Sequence, residues 1–244
     1  VVTFKASPNF EVPLDNGANN VYDITVRASD GSLSVDKAVT ISVANVNEAP
    51  VIGSADAVAA LENVSTLAAV YTVSAADPDA NATLTYSLSG GLDIGLFNIN
   101  ASTGVVSFKT SPNFEVPLDN GANNVYDITV RASDGLLYVD KAVAISVGNV
   151  NEAPVISSSA SASTFENVST ATAVYKVISS DPDANTTLIY SLSGGLDAGL
   201  FNISASTGVV TFKASPNFEA PSDNGANNVY DIVVRASDGS LFVD

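Results

Sequence analysis

Cysteine, histidine, methionine and tryptophan are all missing from this sequence, and each absence removes a class of chemistry. Without cysteine there is no disulfide framework, no thiolate nucleophile and no thiolate metal site. Without histidine the commonest general base and the imidazole metal ligand go too. No Gly-x-Ser-x-Gly elbow stands in for them, so the usual triad hydrolases are excluded. Basic residues are scarce: 9 Lys and Arg against 26 Asp and Glu give a formal charge of −17. A polyanion of this kind repels nucleic acid phosphates and anionic lipid surfaces, which excludes both as partners. No apolar run approaches the roughly 18 residues of a membrane-crossing helix, so no direct membrane insertion is expected. Methionine is missing even at position 1, and no basic segment followed by an apolar one opens the chain. On that pattern the sequence reads as an internal piece of something longer.

What is present is repetition. The hexapeptide NVNEAP occurs at Asn45–Pro50 and again, unchanged, 104 residues later at Asn149–Pro154. VVTFKASPNFEVPLDNGANNVYDITVRASDG (Val1–Gly31) returns almost intact at Val105–Gly135 and at Val209–Gly239, and Asp77–Gly104 returns at Asp181–Gly208. A period of one ordinary domain signals tandem repeats. With NVNEAP as the seam, residues 1–48 are the C-terminal half of a unit, 49–152 are a complete unit, and 153–244 are a unit without its last strand.

Within the unit the hydrophobic period is two. Tyr126, Ile128, Val130 and Ala132 share one face of NVYDITVRASD, and Asp127, Thr129, Arg131 and Ser133 share the other. Leu84, Tyr86 and Leu88 alternate with Thr85 and Ser87; Val143, Ile145 and Val147 alternate with Ala144 and Ser146. Further strands are expected at 71–75, 97–99 and 105–109, separated by Gly, Asn, Pro and Ser clusters. No window carries a helical stripe. About seven short alternating strands in one hundred residues predict an all-β chain of tandem antiparallel seven-stranded Greek-key sandwiches with an immunoglobulin-like architecture.

Once the core positions are set aside, the carboxylates fall in a few turns and strand ends: Glu62 in LEN, Glu115 in NFE, Glu152 in NVNEAP, Asp181 and Asp183 in DPD, Asp238 in SDG. A sandwich with an odd number of strands is entered at one pole and left at the other, which directs these groups towards the seams between units. Two carboxylates about 4 Å apart repel by roughly 4 kcal/mol at an effective dielectric near 20, so convergence calls for a cation. An all-oxygen set without nitrogen or sulfur selects Ca²⁺, which takes roughly 6–8 ligands in flexible geometry. Asn45, Asn47, Asn149 and Asn151 add neutral carbonyl oxygens. The competing reading is turn chemistry, since Asp and Asn in DPD, SDG and DNGANN also bond their own backbone.

Taken in this order along a β unit of this length, the motifs resemble the cadherin repeat, in particular the bacterial cadherin-like repeats of large surface proteins. LEN stands at the family's Pro-Glu-Asn, LFNINASTG at its Phe-x-Ile segment, NFE at Asp-Arg-Glu, DPD at Asp-Ala-Asp and Asp134-Gly135 at the later aspartate-glycine, while NVNEAP is similar to the Asp-x-Asn-Asp-Asn-x-Pro linker. The resemblance implies Ca²⁺ at each seam. At the first seam the implied ligands are Glu11, Asn45, Asn47, Glu48, Asp77, Asp79 and Asp134. At the second they are Glu62, Glu115, Asn149, Asn151, Glu152, Asp181, Asp183 and Asp238. Asp30 and Glu166 fall to seams beyond these two. Asn113 and Asn149 replace aspartates and the linker is one residue shorter, which implies one or two ions per seam and affinity towards the 10⁻⁴–10⁻³ M range of extracellular modules.

The function this implies is a calcium-stiffened structural and adhesive module of an extracellular or cell-surface protein, whose partners are other cadherin-like repeats in cis or trans. The alternative is a polysaccharide-binding module attached to a secreted carbohydrate-active protein. Its candidate platforms are Tyr138 and Phe242, which replace Ser34 of the first copy; strand-edge packing is the plainer expectation for them. A carboxylate pair for glycoside cleavage is the enzymatic option that composition leaves, but near-identical copies in every unit fit a scaffold rather than a catalyst. Asn-x-Ser/Thr triplets such as Asn63-Val64-Ser65 and Asn185-Thr186-Thr187 arise readily in a chain this rich in Asn, Ser and Thr.

Overall fold

Alternating segments form strands, and they are buried where a second layer covers the apolar side. The structure, a computed structural model, describes residues 1–244 and resolves into two compact units, Val1–Gly148 and Asn149–Asp244. The first linker therefore lies inside the first unit, and Asn149–Glu152 belong with the residues that follow them.

The first unit opens with a hairpin, β1 (Val21–Ser29) and β2 (Ser34–Ser42), antiparallel with Val21 opposite Ser42. A sandwich follows, built from β3 (Val51–Ile52), β4 (Ala57–Leu61), β5 (Tyr71–Thr72), β6 (Ala75–Ala76), β7 (Thr85–Gly90), β8 (Phe97–Ile99), β9 (Val105–Phe108), β10 (Val125–Ser133) and β11 (Tyr138–Gly148). One sheet has the order β4-β11-β10-β7; the other has β5-β9-β8, with the small pair β3-β6 beside them. The seven-strand pattern holds once β3 and β4 are taken as two halves of the first strand and β5 and β6 as two halves of the second. One pairing, β11 with β4, is parallel, which hydrophobic alternation cannot reveal.

The expected inward set is buried: Tyr126, Ile128, Val130 and Ala132 from β10 and Val143, Ile145 and Val147 from β11. They close on Tyr71, Val73, Phe97, Val106 and Phe108 of the facing layer in one cluster. Phe97 and Phe108 lie 4.5 Å apart by ring centroid, and both meet the edge of Tyr126, the edge-to-face geometry that aromatic quadrupoles favour. Between Thr129 and Val130 the β10–β7 register slips. There Gly91 (φ +100°) runs so close to β10 that a Cβ would stand 2.3 Å from the Asp127 carbonyl oxygen; only glycine fits.

The hairpin β1–β2 repeats the β10–β11 sequence almost residue for residue but has no sheet opposite it. Val26 is 39% exposed where its copy Val130 is fully buried, and its aromatic support is Phe4 against Tyr22 at 5.2 Å.

The second unit repeats the pattern with β12 (Val155–Ile156), β13 (Tyr175–Lys176), β14 (Ser179–Ser180), β15 (Ile189–Gly194), β16 (Phe201–Ile203), β17 (Val209–Phe212), β18 (Val233–Ser237) and β19 (Phe242–Val243). Its sheets run β15-β18-β19, β13-β17-β16 and β12-β14, and Phe201, Val210 and Phe212 form its buried core. Residues 161–165, the copy of β4, carry no strand.

Candidate metal centre

Short polar turns at strand ends place the acidic groups. In DPD, Asp77 Oδ1 accepts the Asp79 N–H at 2.9 Å, an Asx turn that fixes the backbone and turns the Asp79 carboxylate outward. In SDG, Asp134 Oδ1 caps its own hairpin by accepting the N–H groups of Leu136 and Leu137 at 2.6 and 2.7 Å. The second oxygen of Asp134 stays available for other partners.

The linker supplies them. Asn45 Nδ2 donates to Asp79 Oδ1 at 2.5 Å, Asn47 Nδ2 donates to Asp134 Oδ2 at 2.7 Å, and the Glu48 N–H donates to Asp79 Oδ2 at 2.8 Å. Carboxylate oxygens of Glu11, Glu48 and Asp79 all lie within 4.8 Å of one another. Seven residues scattered over 124 positions of sequence, Glu11 to Asp134, thus meet at one pole of the first unit.

The electrostatics are one-sided. The contributing segments 10–12, 45–50, 77–81 and 133–135 contain no Lys or Arg, and the ion pairs Arg27–Asp36, Arg131–Asp140 and Arg235–Asp244 lie on the hairpins. Burial pushes the Glu48 carboxyl above its ordinary value, and the carboxylates of Glu11, Asp79 and Asp77 push it further. The Asn45 amide, then the Glu48 N–H, hold Asp79 below its usual value. Asp134 is lowered by the Leu137 N–H first and Asn47 second. Glu48 Oε2 and Asp77 Oδ2 are buried without a hydrogen-bond partner, an arrangement that costs free energy unless something satisfies them.

The second unit repeats the pattern. Asn149 donates to Asp183 Oδ1 (2.7 Å), Asn151 to Asp238 Oδ2 (2.7 Å), and the Glu152 N–H to Asp183 Oδ2 (2.8 Å). Asp181 Oδ1 accepts the Asp183 N–H at 3.0 Å, while Asp181 Oδ2 is buried with no partner. Asn151 is the main cause that lowers Asp238. In the first unit, Glu62 is 3% exposed and accepts the Phe114 N–H at 2.9 Å; a carboxylate oxygen of Glu62 lies within 4.8 Å of one on Glu115. Asn113, which stands where the resemblance has an aspartate, turns its Oδ1 to the Val116 N–H.

Four buried aspartates were not singled out by sequence reasoning. Asp93 accepts N–H groups from Asn120 and Asp127 at 2.6 and 2.7 Å, and Asp119 accepts those of Asn123 and Asn124, both at 2.9 Å. Asp197 and Asp223 repeat these roles. They tie the long DNGANN loop to the sandwich, and only the turn character of that loop was visible beforehand. Tyr138 and Phe242 are not packed away at a strand edge: they are 56% and 53% exposed. Arg131 and Arg235 each stack a guanidinium over the ring at 3.6 and 3.7 Å, covering the face a sugar would need.

Comparison with known proteins bears on the fold that carries these groups. Residues 57–150 match the sequence model of the cadherin domain. The chain is 30% identical to human Protocadherin Fat 1 over 254 residues, 97% of this chain but 5% of that protein. It is also 30% identical to human Cadherin-18 over 92% of this chain and 30% of that protein, so it spans a minor part of each relative. Among solved structures, human Protocadherin-24 EC1-2 superimposes with a TM-score of 0.58 at 23% identity over 81% of this chain and 92% of that one. Mouse Cadherin-23 EC22-24 gives 0.56 at 23% identity over 94% and 74%. These likenesses fix the fold.

Proposed function

Because this chain belongs to the cadherin repeat family, we propose that it is a calcium-binding structural and adhesive module of an extracellular or cell-surface protein. Its partners are other cadherin-like repeats in cis or trans. The observation that carries the reading is the pair of matching constellations, in which DPD, SDG and linker groups converge without a basic side chain and leave buried carboxylate oxygens unsatisfied.

The donor set fits Ca²⁺. Bound there, the ion would supply positive charge and an oxygen-seeking coordination shell of roughly 6–8 ligands. Glu11, Asn45, Asn47, Glu48, Asp77, Asp79 and Asp134 hold it at the first seam. Glu62, Glu115, Asn149, Asn151, Glu152, Asp181, Asp183 and Asp238 hold it at the second, by the 104-residue correspondence. With asparagines in place of aspartates, one or two ions per seam and dissociation constants of about 10⁻⁴–10⁻³ M follow. The work done is mechanical: with the carboxylates neutralised, neighbouring repeats lock, and the stiffness of the array is the sum of its seams. Small-angle X-ray scattering of the chain in millimolar Ca²⁺ and in chelator tests this. A distance distribution that broadens on chelation supports the reading; superimposable profiles count against it.

A further inference from the structure

The two linkers make the same three hydrogen bonds to the residues that follow them. Asn45 and Asn149 each donate an amide N–H to the last aspartate of DPD, Asn47 and Asn151 each donate to the aspartate of SDG, and the Glu48 and Glu152 N–H groups each close on the second oxygen of that DPD aspartate. We propose that the linker asparagines are an ion-free latch: their amides fasten NVNEAP to the following repeat when calcium is low, so the segment freed by calcium loss lies before Asn45 or Asn149 rather than within the linker.

An amide 2.5–2.7 Å from a carboxylate oxygen is attractive only with its NH₂ side forward, since Oδ1 in that place would set two acceptors against each other. Each such bond is charge-assisted and gives the carboxylate a side-chain donor in addition to its backbone N–H partners. A cation needs the opposite face of the same group, because a carbonyl oxygen is a calcium ligand and an NH₂ is not. Ion entry therefore requires each amide to turn about its last torsion or to give way. An aspartate at these positions would repel Asp79, Asp134, Asp183 and Asp238 in the ion-free state and bind the ion more tightly once it arrived. The asparagines give up affinity for order in the absence of calcium.

The calcium half of this inference rests on the function proposed above; the latch does not, so the test separates them. Hydrogen exchange of the full chain in EDTA, read on peptides covering Asn149–Ala153, should show Glu152 protected by about tenfold or more over an unstructured amide. In the N149D/N151D chain that protection should fall to within about twofold of none, while the β18 amides of Val234 and Ala236 stay protected and report an intact fold. An unprotected linker in the parent chain, or an unchanged one in the variant, overturns the latch. Calcium titration of the same two chains should give tighter binding to the variant; weaker binding would show that the amides do not have to be displaced, and overturns the trade. If neither chain takes up calcium, the proposed function falls, and the exchange result still decides the latch.

Discussion

Asp134 meets two demands with one carboxylate. Oδ1 caps the SDG hairpin and Oδ2 accepts from the Asn47 amide, so the turn role that the sequence sets against a ligand role occupies only one of its two oxygens. Asp79 and Asp183 differ: both of their oxygens accept from the linker. Glu48 is the group left under electrostatic pressure, raised by burial and then by Glu11, Asp79 and Asp77. A carboxyl whose folded value is raised favours the protonated state in the fold, so its charged form weakens the ion-free protein as pH climbs through that value. A cation reverses the preference and expels the proton. Calorimetric calcium titrations in buffers of different ionisation enthalpy should therefore show proton release near the raised Glu48 value and none well above it. Glu48→Gln should abolish the release. Equal release at every pH, or release that survives the substitution, would remove Glu48 from the site. Most ligand candidates were legible because they sit in short motifs at strand ends. Asp93 and Asp119, which tie down the DNGANN loop and are not ligand candidates, were not legible, since their partners are backbone N–H groups that no side-chain pattern marks.

At the scale of the element, alternation located β7, β8, β9, β10 and β11 to within a residue or two, because each has one face against a facing sheet. It failed at β4. Its sequence, AVAAL, has too little contrast between faces to announce a strand, and its pairing is with β11, distant in sequence and parallel to it. It also assigned one continuous strand at 71–75 where the chain forms β5 and β6, paired to different neighbours. The hairpin β1–β2 shows how far burial depends on the opposing layer rather than on the strand itself. Ile145 is fully buried in the sandwich core; its copy Ile41, in nearly the same sequence, is only half-buried. Ile145→Ala should cost about 2–5 kcal/mol in denaturant unfolding of the chain, the range for large-to-small core changes. Ile41→Ala should cost less than half as much. Equal losses would mean that the first hairpin has a covering layer after all.

For the whole molecule, the repeat period marked the tandem units, strand alternation gave the all-β class, and the net charge of −17 set phosphate-rich partners aside. Which loops meet was less accessible: Glu11 and Asp134 are joined only through the order of strands, and that order came from the resemblance and not from spacing. The central claim is that side chains far apart in sequence are gathered at the seams to hold calcium. Isothermal titration calorimetry of the intact chain with Ca²⁺, beside Asp79→Ala combined with Asp183→Ala, tests it most directly. The account predicts saturable binding at about 10⁻⁴–10⁻³ M that is lost in the double variant while its circular dichroism stays β-sheet. No binding by the parent chain, or undiminished binding by the variant, would contradict it.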